Sequence, residues 1–400
     1  MAVWRRPLSD TILAVLLCAH RLPTFPSRFS TSAAAAFPAK AWRARWSELR
    51  SDGRSMRDSV SETISPVHGR RWGRRGSVIF AGVAVVAAAI WTTRRVPAPI
   101  PDPEGSFAFA ALGDAPYYGW EQRRFRLLLR DMDAHDLSWV LHIGDIFDRP
   151  CTDDQYRTAL DRFNGLRHPV IYTPGDNEWA DCWLPGSGGF APRERLASLR
   201  KIFFVDPHRS LGGKRLPLRT QADHPEFSEF VEHVRFSHRG VSFATVHLLG
   251  SRNGLRSFPK RTAADDEEVQ RRTEAATAWL RELFSEATAS GAPAIVVAFH
   301  GTLGFGQPTE ARRAYEPFVT ALEEEVERFG KPVLTVHGDA HKLTIDHPLV
   351  RSTTGRWLAN FTRLEVPGSP DVGWVRVVVT PGATQPFAFQ PLIVSGWRFW

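Results

Sequence analysis

Three apolar runs in this chain each end in Gly-Asp. Phe107–Leu112 leads into Gly113-Asp114, Val140–Ile143 into Gly144-Asp145, and Val170–Pro174 into Gly175-Asp176. A short apolar run of this kind reads as a buried strand, with the carboxylate at its C-terminal tip. Asp114, Asp145 and Asp176 follow one another at intervals of 31 residues, about one strand–helix–strand unit, so their tips are expected along one sheet edge. Two later runs bring imidazoles: Ile295–Phe299 ends at His300, and Pro332–Val336 leads into His337-Gly338-Asp339-Ala340-His341. Carboxylates and imidazoles converging at strand ends suit divalent metals, and this many suit two ions with Asp145 as a bridge. There is no Gly-x-x-x-x-Gly-Lys loop, His-Glu-x-x-His or Gly-x-Ser-x-Gly, so the chemistries those motifs carry are unsupported.

The connecting segments must position these tips. Glu121–Ala134 has Phe125, Leu128, Leu129 and Met132 at helical spacing, and helices are also expected at Gln155–Asn164, Arg193–Ile202, Ala264–Ser290 and Tyr315–Phe329. Gly291 and Pro293 stop the long one. Val231–Ser237 and Val241–Leu248 read as a hairpin turning at His238-Arg239-Gly240. Asp206–Glu229 reads as an irregular excursion, and Trp374–Thr380 and Ala388–Val394 as closing strands. Strands alternating with helices imply an α/β domain with at least one mixed sheet.

The order Gly-Asp, Gly-Asp, Gly-x-x-Glu, strand-end His, Gly-x-x-His resembles the calcineurin-like metallophosphoesterase superfamily, over about Phe107 to His341. The resemblance implies a four-layer α/β/β/α sandwich of two mixed sheets. It also implies hydrolysis of phosphomonoesters or phosphodiesters by a water activated between two metals. By position, Asp114 and His341 would hold the first ion, Asp145 would bridge, and Asp176, His300 and Asp339 would hold the second.

The departures from the family pattern are chemical. Asp114-Ala115-Pro116 lacks the histidine of Asp-x-His. Gly175-Asp176-Asn177-Glu178 has Asp where Asn is usual and Asn where the general acid is usual. Gly338-Asp339-Ala340-His341 has Asp in place of the first histidine. Added carboxylates shift preference from Zn²⁺ toward Mn²⁺, Mg²⁺, Ca²⁺ or Fe. They also set negative charge where a phosphate must approach. Asn177 can donate a hydrogen bond to a phosphoryl oxygen but cannot protonate a leaving group, which leaves His247 and His142 as candidate acids. Arg252, Asn253 and Tyr117 are candidates for substrate contact, the first two at the phosphate, and Tyr117 with Tyr118 also for covering the metals. Trp120, Trp179 and Trp183 are candidates for an aromatic rim around a sugar or nucleobase. The substrate would be a phosphorylated small molecule or polymer. The rival reading is a metal-binding scaffold of the same fold with weak or no catalysis.

Charge separates the chain into parts. Residues 1–104 hold 16 Lys and Arg against 7 Asp and Glu, leaving 35 basic and 36 acidic residues for the rest. The near-neutral remainder gives no sign of specific nucleic-acid binding. Residues 1–76 read as a leader, residues 77–91 as an apolar signal or anchor, residues 92–105 as a Pro-rich linker, and residues 106–400 as the folded domain. The apolar segment is short for a bilayer span. It follows Arg70, Arg71, Arg74 and Arg75, as a signal-peptide core or short anchor in contact with a membrane would. Export, free or membrane-anchored, to the periplasmic or extracellular side is therefore expected, with organelle targeting through residues 1–55 as the alternative and Met56 as an alternative start. Cys151 and Cys182 follow two of the tip motifs, and in an exported chain a disulfide between them is expected.

Overall fold

Strand β1 (Phe107–Leu112) is apolar at every position because both its faces are covered. Phe107, Phe109 and Ala111 point into a core shared with a second sheet, while Ala108, Ala110 and Leu112 point into a core shared with helices. The computed structural model describes residues 101–305 and 312–394. The apolar segment 77–91 and most of the linker 92–105 lie outside these residues. No helix among the described residues is long and apolar enough to cross a membrane.

The first sheet is built on β1. Strand β2 (Val140–His142) and then β3 (Pro169–Tyr172) run parallel to it, and the short β4 (Leu211–Gly212) is antiparallel at the edge. On the other side lie β12 (Gly373–Val379) and β13 (Phe387–Ile393), both antiparallel to their neighbours. The second sheet places β5 (Arg219–Thr220), β6 (Val234–His238), β7 (Val241–Thr245), β8 (Ile295–Ala298), β9 (Val333–His337), β11 (Phe361–Glu365) and β10 (Thr344–Asp346) side by side. Within it β7, β8, β9 and β11 are parallel and the remaining pairings antiparallel.

Helices α1 (Glu121–Ala134), α2 (Asp153–Asn164) and α3 (Pro192–Phe203) cover the first sheet through Phe125, Leu128, Phe163 and Leu199. Helices α4 (Ala263–Ala289) and α5 (Glu316–Phe329) cover the second through Leu280, Leu283, Phe318 and Leu322. Phe109, Trp139, Phe243, Val296, Val336 and Val377 fill the space between the sheets. The result is a four-layer α/β/β/α sandwich of two mixed sheets, the architecture implied by the motif order. A Thr262–Asp265 capping box starts α4, and Gly330 at φ 66° ends α5.

The hairpin is shorter than its sequence suggests. Glu232 turns inward to Arg200 and His247 rather than joining β6, and β7 leaves the ladder after Thr245. Strands β10 and β11 have no counterpart in the sequence reading. Across the parallel strands, Leu112, His142 and Tyr172 form one row. Counted from that row, Asp114 lies two residues on, Asp145 three, and Asp176 four. Cys151 and Cys182, both fully buried, form a disulfide that joins the loops after β2 and β3.

Candidate metal centre

All six strand-end positions meet where the two sheets present their C-terminal tips. Asp114, Asp145 and His300 offer ligand atoms within 4.8 Å of one another, and so do Asp176, His300 and Asp339. His300 Nε2 lies 3.0 Å from Asp176 Oδ1, 3.4 Å from Asp145 Oδ1 and 4.0 Å from Asp339 Oδ1. His341 Nε2 lies 3.7 Å from Asp114 Oδ1, which puts it beside the first group. Four of these residues, Asp114, Asp145, Asp339 and His341, hold left-handed backbone with φ between 54° and 74°. Such conformations are uncommon outside glycine and cluster where function fixes a turn. A Cβ on Gly175 would run into Asp145 Oδ1, so glycine is what lets the third tip approach the second.

The imidazoles are oriented from behind. His300 Nδ1 donates to Ile143 O (2.9 Å) and His341 Nδ1 to Ser369 O (2.8 Å), which leaves each Nε2 facing carboxylate oxygens. Unprotonated, His300 Nε2 would aim a lone pair at three acids. Burial alone pushes its pKa down, but Asp145, Asp176 and Asp114 outweigh burial and hold it well above the ordinary value. Burial pushes Asp114 up to about 7 and Asp145 well above the carboxylate range. Asp176 is also burdened by burial, yet its hydrogen bond and attraction to His300 bring it below the ordinary value.

These residues fit metal ions. Four carboxylates surround one imidazole, and no Lys or Arg among the described residues forms an ion pair with any of the four. Asp114 Oδ2 is buried with no hydrogen-bond partner, a cost that a cation would remove.

Several residues that hold the ligands were not singled out in the sequence. Ser251 Oγ lies 2.7 Å from Asp176 Oδ2 and 2.9 Å from Asp181 Oδ2, and Thr302 N donates to Asp339 Oδ2 at 2.9 Å. Gly250 packs so closely that a Cβ there would strike Asp339 Oδ1. The sequence signal was the run Gly250-Ser251-Arg252-Asn253, whose last three residues are all left-handed.

The remaining candidates divide. Asn177 donates its backbone N–H to Asp145 Oδ1 at 3.1 Å, which places it at the centre. Tyr117 Oη donates to Asp145 Oδ2 at 2.6 Å and lies 3.3 Å from His341 Nε2, so it contacts two ligands directly. Arg252 is exposed beside Ser251. His247 is corrected from acid to framework: Nδ1 donates to Glu232 Oε1 at 2.7 Å, Nε2 accepts from Trp179 Nε1 at 3.1 Å, and the ring is fully buried. Burial lowers its pKa, and both ring nitrogens are taken up by Glu232 and Trp179. Asn253 is corrected likewise, because its buried amide binds Thr273, Ala314 O and Arg272. His142 is buried and pushed by desolvation to about 3, which removes it as an acid. Trp179 belongs to the His247 network, Trp183 lines a cavity, and Trp120 is exposed and stacks on Tyr118.

A four-layer sandwich with carboxylates and imidazoles on its strand tips defines a hydrolase class that acts on phosphoesters. The sequence profile of the calcineurin-like phosphoesterases matches residues 108–343, and the chain belongs to that family. No curated protein matches it. Among solved structures it is similar to PhoD, with 15% identity, TM-score 0.45, and coverage of 74% of this chain and 70% of that one. It is also similar to TT1561 of Thermus thermophilus (10%, 0.41, 72% and 99%) and to a phosphatase from Mycoplasma pneumoniae (12%, 0.36, 72% and 94%).

Proposed function

We propose that this chain is an exported, metal-dependent phosphoesterase that hydrolyses phosphomonoesters or phosphodiesters. The observation that carries the reading is the convergence of Asp114, Asp145, Asp176 and Asp339 on the single imidazole of His300, with no Lys or Arg among the described residues paired to them. Asp114, Asp145 and His341 would hold one divalent ion, and Asp145, Asp176, His300 and Asp339 the other. Mn²⁺, Mg²⁺, Ca²⁺ or Fe suits so many oxygen ligands better than Zn²⁺. Bound there, two ions would supply a water activated for attack on phosphorus and neutralise the phosphoryl oxygens.

The protein's own groups do the rest. Ser251 and Thr302 N hold Asp176 and Asp339 in place, while Ser369 O and Ile143 O aim the imidazoles. Two divalent ions only balance four carboxylates, so added attraction for a phosphate must come from the rim. Exposed Arg252, next to Ser251, is the side chain that would supply it, since Arg256 is already paired with Asp181 at 3.3 Å. Asn177 would donate to a phosphoryl oxygen. The buried Cys151–Cys182 disulfide supports export, since such bonds persist in oxidising compartments.

The test is metal-stimulated turnover of generic phosphomonoesters and diesters with Mn²⁺, Mg²⁺, Ca²⁺, Fe or Zn²⁺, wild type against Asp145→Ala. Turnover in the wild type alone is expected, and equal rates in both would sink the reading. A metal-binding scaffold is the rival, favoured by Pro116 in the place of a ligand and by the locked His247. Stoichiometric metal without turnover on any substrate would select it.

A further inference from the structure

Helix α1 presents charge of one sign to the outside. Phe125, Leu128 and Met132 face the first sheet, so Arg123, Arg126, Leu127 and Arg130 fall on the opposite side, with half-buried Arg124 at its margin. Among the described residues none of these four arginines is paired with a carboxylate, whereas Arg200, Arg235, Arg281, Arg312 and Arg363 all are. The acids of the helix are engaged elsewhere: Asp131 accepts from Trp374 Nε1, Asp133 from Arg167 N, and buried Glu121 from Tyr117 N. Burial and the charge of Arg126 both lower the pKa of Arg162 on α2, so the positive face extends onto that helix. In a domain that is close to neutral as a whole, this is a segregated patch.

The same face carries apolar side chains. Leu127 is 45% exposed, and Trp120 and Tyr118, at the N-terminal end of the helix, are 51% and 49% exposed. The two rings stack, with centroids 5.9 Å apart and planes 9° from parallel, and the Arg124 guanidinium lies 4.7 Å from the centre of the Trp120 ring. Glu121 Oε2 also accepts the Tyr118 N–H, at 3.3 Å, which ties the aromatic turn to the helix.

We propose that the outer face of α1 docks on an anionic membrane surface. Arginines reach lipid phosphates, while tryptophan, tyrosine and leucine sit at headgroup depth. A nucleic-acid duplex would use the arginines but leave Leu127 and the stacked rings in water. The chain also enters the domain on this side. Asp102 pairs with Arg376, which shares a face of β12 with Trp374, the residue bonded to α1. Only residues 92–101 separate Asp102 from the apolar segment 77–91, at most about 40 Å of fully extended chain. That tether rests on the export reading, whereas the charge and the aromatics stand on the helix itself. Docking is independent of which phosphoester is cleaved.

The experiment mixes the full chain with vesicles of phosphatidylcholine, alone or in equal parts with phosphatidylglycerol, and measures bound protein by co-sedimentation. The wild type is expected to prefer the anionic vesicles, and Arg123→Gln/Arg126→Gln/Arg130→Gln to lose about tenfold or more of that affinity. Arg328→Gln/Lys331→Gln/Arg356→Gln, an equal charge change on the second sheet's side of the molecule, should lose far less. Every variant keeps the leader, so the difference reports the helix, and a melting curve checks each fold. With brominated phosphatidylcholine in the mixed vesicles, tryptophan fluorescence should be quenched more in the wild type than in Trp120→Phe. No anionic preference in the wild type, equal affinities of the two triple variants, or equal quenching with and without Trp120 overturns the proposal. If the α1 variant keeps its vesicle affinity but loses affinity for a DNA duplex, the face serves nucleic acid and the proposal falls.

Discussion

Glu178 Oε1 accepts the Ile146 N–H at 3.0 Å while Oε2 accepts the Gly175 N–H at 3.1 Å, so one carboxylate ties the second strand tip to the third. Tyr172 Oη also donates to Oε1, at 3.1 Å. The tie grips the residues next to Asp145 and Asp176. Glu178→Ala strands two buried backbone donors and is expected to destabilise the protein by about 2–4 kcal/mol, with Glu178→Gln losing less. Urea unfolding of the metal-free chain measures the first effect. A matching loss of Mn²⁺ affinity in the folded variant would show that the tie also sets ligand geometry.

Without metal, the share of stability that Asp114 contributes should fall as pH rises, against the opposite share of buried His142, His233 and His337, which the fold keeps neutral down to about pH 3. Asp114 is held at about 7 in the fold against an ordinary value of 3.8, so the native state keeps a proton that the unfolded chain releases. Its stabilising share is complete below about pH 4 and lost as pH passes 7. His300, raised well above its ordinary value, acts in the same direction at higher pH. Metal must displace these protons, so apparent Mn²⁺ affinity should climb between pH 5 and 7, by up to tenfold per unit for each proton released. Melting curves across that range for the wild type against Asp114→Asn, each with and without Mn²⁺, isolate the Asp114 share and check both signs.

Gly250→Ala should spare the fold and damage the site. The added Cβ would strike Asp339 Oδ1 and crowd Asp176 Oδ1 at 2.8 Å. The expected result is metal affinity reduced by about tenfold or more, with melting of the metal-free chain shifted only slightly. Unchanged Mn²⁺ binding would mean that both carboxylates can move aside at little cost.

Much of this was legible in the chain because the information was local. An apolar run ending in Gly-Asp carries its own strand, turn and ligand, and α1 announced itself by Phe125, Leu128 and Met132 on one face. What failed was non-local. His247 and Asn253 look available until Glu232 and Arg272 arrive from distant segments to engage them. Strand β11 was hidden because Thr362, Arg363 and Glu365 make it polar, and Arg363 is acceptable there only because Asp346 of β10 pairs with it. The Tyr117–Asp145 contact crosses between two tips, and no spacing rule predicts it.

Removing the disulfide should loosen the same two loops. Cys151 and Cys182 are 31 residues apart, and a loop of that length implies about 3–4 kcal/mol from chain entropy. The double change Cys151→Ser/Cys182→Ser is expected to lose stability of that order. Reductant should lower the melting temperature of the wild type and leave the variant unmoved, provided it reaches the buried bond.

The row Leu112, His142, Tyr172 and the offsets of two, three and four residues to Asp114, Asp145 and Asp176 separate two kinds of length in this chain. The helical crossovers can gain or lose residues far from the tips without moving a carboxylate. The tips cannot, because each overhang is one residue longer than the one before, so the three acids step outward like a stair. One residue inserted into Thr173-Pro174-Gly175 would lift the last tread away from His300, whereas the same insertion at the exposed end of α2 would leave the stair intact. Where this lineage tolerated changes of length, they are expected in the crossovers, and the overhangs should be the most length-invariant parts of the chain.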